Sequence, residues 1–98
     1  MKIESGEIVV LIMREPREKI LGIVDEINPA GIFIRGIDLG YFDEWVRAIA
    51  EGEQYLPMHD SFYPMWRVER MSKDEAAEGT QSMGEIFAKR TGRLLGEF

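Results

Sequence analysis

Three runs rich in isoleucine and valine, Ile8 to Met13, Ile20 to Ile27 and Ile32 to Ile37, follow one another with only short turn chemistry between them. Such spacing predicts a meander of three β-strands. The first connection, Arg14 to Lys19, is charged and holds Pro16, which fixes φ and has no N–H to give to a ladder; it reads as a solvated hairpin tip. The second, Asn28-Pro29-Ala30-Gly31, is a turn by composition. Gly22 stands inside the second run, where a missing side chain permits a sharp bend or the close approach of another strand. In the first run, Ile8, Val10 and Ile12 share one face while Val9, Leu11 and Met13 share the other, so both faces must be covered.

After Asp38-Leu39-Gly40 the apolar period lengthens. Phe42, Trp45, Val46 and Ile49 fall at helical spacing and Glu51-Gly52 supplies a stop, which predicts a helix over about Tyr41 to Glu51. A loop with Pro57, His59 and Asp60 then leads into a late strand over Tyr63 to Met71, in which Pro64 must occupy an edge, a strand start or a bulge. Ser72 to Glu75 and Ser82 to Glu85 both have capping-box spacing; the second is the better helix start, with Thr91-Gly92 as its end. Between them, Glu78-Gly79-Thr80-Gln81 is the expected flexible segment.

A chain of 98 residues supports one modest core, hence a single domain over residues 1–98. The net charge of −6 opposes phosphate over most of the surface, which argues against DNA and against general RNA binding. Cysteine is absent, so no disulfide framework, thiolate metal site or cysteine nucleophile is expected. The apolar run near the N-terminus is too short for a signal-peptide core or a membrane span, which sets the expectation of a cytoplasmic protein without membrane association.

From Gly6 to Gly36 the chain resembles the first half of the Sm-like barrels. The residues behind the resemblance are a glycine before the first strand, Gly22-Ile23-Val24-Asp25 in a bent second strand, an asparagine-bearing turn at Asn28, and Ile32-Phe33-Ile34. The resemblance implies a small, strongly bent sheet that forms rings. In the RNA-binding branches of that family, turn residues cradle bases; the corresponding position here is Asn28, with Asp25 as its support.

Candidate sites are sparse. His59-Asp60-Ser61 has the residue types of a catalytic relay, but adjacent residues cannot place the acid behind the base and the base on the nucleophile. A polar turn explains them. A lone histidine with no cysteine makes no zinc site, and Asp43, Glu44, Asp74, Glu75 and Glu78 lack calcium-loop spacing; no metal or cofactor is expected. Tyr55, Phe62, Tyr63 and Trp66, with Met58, Met65 and Met71, lie beside Arg67 and Arg70. That cluster is either core or a platform on which bases or peptides stack. Lys89, Arg90 and Arg93 suit the negative end of the last helix.

The expected fold is therefore α+β and mainly β: a small, strongly bent Sm-like β-barrel of about five strands with an inserted helix and a C-terminal helix. The expected function is a non-catalytic interaction module that self-associates as a homo-oligomer, with Asn28, Arg35, Tyr63, Trp66 and Arg67 as candidate binding residues for protein or RNA. An Sm-like RNA-binding ring using Asn28 and Arg35 is the first alternative. An enzyme of unrecognised type, with His59 as its only obvious base, is the second.

Overall fold

In the computed structural model, which describes residues 2–52 and 56–98, five antiparallel strands form one sheet in the order β4-β3-β2-β1-β5. The strands are β1 (Ile8–Met13), β2 (Glu18–Asn28), β3 (Gly31–Asp38), β4 (His59–Pro64) and β5 (Val68–Lys73). Helix α1 (Phe42–Ala50) lies between β3 and β4, and α2 (Met83–Thr91) follows β5. The architecture is thus α+β, with the meander and both helices where the sequence places them.

Both apolar faces of β1 are covered within the chain. Ile8 and Val10 pack with Leu21, Ile23 and Ile37 beneath the helices, against Phe42, Trp45, Val46 and Phe87. Val9, Leu11 and Met13 join Ile20, Val24, Ile32 and Ile34 on the opposite, inner face, where Tyr63, Val68 and Met71 close over them from β4 and β5. Two thin cores thus share one sheet. Burying a large apolar side chain contributes about 1.5–3 kcal/mol, so covering the second face of β1 is a substantial gain that needs no second copy of the chain.

The helical layer is pinned by aromatic contacts. Trp45 lies 5.1 Å from Phe87 and 5.7 Å from Phe98 between ring centroids, and its indole N–H donates to the Leu56 carbonyl at 2.9 Å. Helix α2 starts as its composition demands: the Ser82 hydroxyl accepts from the Glu85 amide and the Glu85 carboxylate accepts from the Ser82 amide. Hydrogen bonding from the Ser82 amide, and secondarily from its hydroxyl, holds the Glu85 carboxyl below its usual range. Asp74 adds a clamp from outside the helix, accepting from the amides of Met83 (2.7 Å) and Gly84 (2.8 Å). Gly92, at φ 73°, ends the helix in the left-handed region.

Gly22 and Gly36 face each other across β2 and β3. Alternation puts both on the inner face, where the two strands approach too closely for side chains. A Cβ on Gly22 would sit 2.8 Å from the Gly36 Cα, and one on Gly36 would sit 2.6 Å from the Leu21 carbonyl oxygen.

Several expectations are corrected. The late strand over Tyr63 to Met71 does not form: β4 begins earlier, at His59, and a 3₁₀ turn at Met65–Arg67 separates it from β5. The turn is held from outside, by Met65 N–H donating to the Ala30 carbonyl and Arg14 N–H donating to the Arg67 carbonyl. His59 and Asp60 consequently lie in a strand and not in a loop. Ser72 does not cap a helix; it pairs with Val10 in β5. Glu78 and Gly79 form the turn of an isolated bridge, Ala77 with Thr80, closed by two 2.9 Å bonds. Finally, the sheet is not closed into a barrel: β4 pairs with β3 and β5 with β1, leaving both as edges among the described residues.

Candidate functional site

Hydrogen-bond alternation decides what the two edge strands present. Because the Met65 amide donates to Ala30, in register with Gly31 opposite Pro64, the β3–β4 ladder bonds at every second pair counted from there. Pro64, Phe62 and Asp60 then stand at non-bonded pairs, so the amides of Phe62 and Asp60 face away from β3, and Pro64 sits where no N–H is needed. On β5 the Asp74 amide donates to Ile8, which by the same counting turns the amides of Lys73 and Met71 away from β1. Each edge offers a row of outward backbone groups.

Non-bonded pairs bring their side chains close, and this builds the surface beside β4. Phe33 and Phe62 face each other with ring centroids 4.7 Å apart, yet they remain 39% and 43% exposed. Two pairs along, Arg35 faces Asp60, its Nε 3.0 Å from the carboxylate. These residues line an open groove of about 650 Å³, together with Ile23 and Asp25 of β2. The ladder shifts register between Val24 and Glu26, leaving Asp25 as a bulge residue in the groove wall.

The sequence-derived candidates separate. Arg35 lies in the groove. Asn28 serves its own turn: its amide nitrogen donates to Glu26 at 2.7 Å and its oxygen accepts from the Ala30 amide at 2.9 Å. Tyr63 packs into the inner core, and the Arg67 guanidinium lies 5.9 Å from its ring centre. Arg67 is a structural tie. Its side chain, 15% exposed, donates to the carbonyls of Arg14 (3.1 Å) and Pro16 (2.8 Å) and to the Glu18 carboxylate (2.7 Å). Trp66, 58% exposed, stands on the outside of that corner, away from any shared site with Arg35.

The aromatic and methionine cluster likewise divides. Met58 is in the helix-side core, Met71 packs on the inner core, and Phe62, Met65 and Trp66 are exposed. Tyr55 lies outside the described residues. Consecutive positions in β4 send Asp60 to the opposite face from His59 and Ser61, so these three do not converge. His59 instead borders a small pocket of about 350 Å³ with Tyr41, Trp45 and Pro57. Arg90 pairs with Asp43 at 2.7 Å, holding that carboxyl below its usual range, and Arg93 pairs with Glu97 at 2.9 Å. Among the described residues no group of three or more histidine or carboxylate side chains is placed to hold a metal, and no helix is long and apolar enough to cross a membrane.

Phe33 and Asp60 are the residues that sequence reasoning missed. The available signal was phase: Phe33 and Arg35 alternate together, opposite to Ile32 and Ile34, so a buried Ile32–Ile34 face turns Phe33 to the side of an arginine. Comparison with known proteins adds no relative: no protein family, curated protein or solved structure matches this chain.

Proposed function

We propose that this chain is a non-catalytic interaction module that self-associates through the open edges of its sheet. The observation that carries the reading is that β4 and β5 stand as unpaired edges of one sheet among the described residues. Outward amides at Asp60 and Phe62 and at Met71 and Lys73 are templates for pairing with another strand. Exposed Phe62 adds apolar area beside one edge. The curled sheet is read as an Sm-like barrel left open between β4 and β5, with the neighbouring copy's edge filling the gap. The two apolar faces of β1 call for no second copy, since contacts within the chain cover both.

Base recognition at Asn28 receives less support, because both ends of its amide are engaged within the turn, and Arg35 is already paired with Asp60. A concentration series in sedimentation velocity tests the proposal. Mass rising with concentration supports it, and a strict monomer at high micromolar concentration overturns it.

A further inference from the structure

The groove on the face of β2, β3 and β4 has features that edge pairing does not use. Its volume of about 650 Å³ extends over three strands and opens to solvent, a shape suited to an extended segment. Among the described residues its lining holds two carboxylates, Asp25 and Asp60, against one guanidinium, Arg35, whose charge Asp60 offsets at 3.0 Å. The bulge sets Asp25 in the wall, and the tilted Phe33–Phe62 pair exposes ring surface that attracts cations and aliphatic groups alike. A net charge of −6 favours the approach of cationic over anionic partners.

We propose that the groove docks an extended peptide segment of a partner protein in which lysine or arginine alternates with apolar residues. Alternation puts the cationic side chains on one face of the extended segment, and from that face they reach Asp25 and lie over the Phe33 and Phe62 rings. The proposal goes beyond self-association and does not depend on it, because the groove is on the face of the sheet and exists in a single copy.

The test uses isotope-labelled full chain, diluted until sedimentation shows one mass, with two synthetic peptides: acetyl-VKVKV-amide and its charge-reversed counterpart acetyl-VEVEV-amide. The lysine peptide is expected to give saturable amide shifts centred on Asp25, Phe33, Arg35, Asp60 and Phe62, weakening with salt, while the glutamate peptide gives none. Asp25→Asn and Phe62→Ala, both at exposed positions, are each expected to lower the affinity roughly 2- to 5-fold. No saturable response to the lysine peptide at millimolar concentration would overturn the proposal. So would an equal response to the glutamate peptide, or shifts centred on Trp66 or the helices.

Discussion

Placing a methyl group on Gly22 tests how closely β2 and β3 approach each other. Replacing glycine by alanine ordinarily stabilises by about 0.4–1 kcal/mol where the backbone tolerates it, since the unfolded chain loses freedom. Here the new Cβ would lie 2.8 Å from the Gly36 Cα and 2.9 Å from Ile34 Cγ1, and nearest of all to the Arg35 carbonyl oxygen. Two of those three obstacles are backbone, so no rotamer change relieves them. β2 and β3 must separate, and β2 is also paired with β1 through Val9 opposite Gly22. Overpacking of this kind costs about 1–3 kcal/mol, which outweighs the entropic gain and leaves a net loss of about 1–2 kcal/mol. For a domain of this size that loss lowers the thermal midpoint by roughly 4–16 °C. Gly96→Ala is the control, because its Cβ would meet only Ile23 Cδ1 at 3.9 Å; its stability should stay within about 0.5 kcal/mol of the parent. Urea and thermal melts of both variants decide the matter. A Gly22→Ala midpoint equal to or above that of the parent would refute the claim that the close approach of β2 and β3 requires glycine at this position.

The corner at Arg67 makes a second prediction. Arg67→Met leaves the Glu18 carboxylate and the Arg14 and Pro16 carbonyls without their shared donor and should destabilise by about 2–3 kcal/mol. Arg67→Lys should restore little, since one ammonium cannot reproduce the guanidinium fork; full rescue in denaturant melts would contradict this. The third concerns acid. The Glu85 carboxyl is lowered in the fold by the Ser82 amide and hydroxyl, so its contribution is fully present above the ordinary value of 4.5 and is lost as pH falls through the lowered folded value. Glu85→Gln should flatten that part of the acid-side decline in a pH series of melts, and superimposable profiles would refute the linkage.

Features set by neighbours in sequence were legible without the structure. The Ser82 capping box, the Gly92 stop, the α1 stripe of Phe42, Trp45, Val46 and Ile49, and the close strand approach at Gly22 all follow from local spacing. Ser72 to Glu75 satisfied the same local rule and failed, because pairing of Ser72 with Val10 in the ladder overrides it. The break at Met65–Arg67 was hidden for a related reason. Its aromatic and β-branched neighbours read as one strand, whereas the bonds that turn it come from Ala30 and Arg14, far away in sequence. The need to cover both faces of β1 was plain from alternation, but alternation does not say whether helices or another copy do so. The exposure of Phe33 and Phe62 depends in turn on where the helical layer stops, which is a tertiary outcome.

The central claim is that the two sheet edges pair between copies. Amide hydrogen exchange across a concentration series measures this most directly, since it reads individual edge groups while sedimentation reports the mass. The account predicts that the outward amides of Asp60, Phe62, Met71 and Lys73 gain protection as concentration rises, in step with the growth in mass. Exchange at those four amides that stays fast and independent of concentration would contradict it.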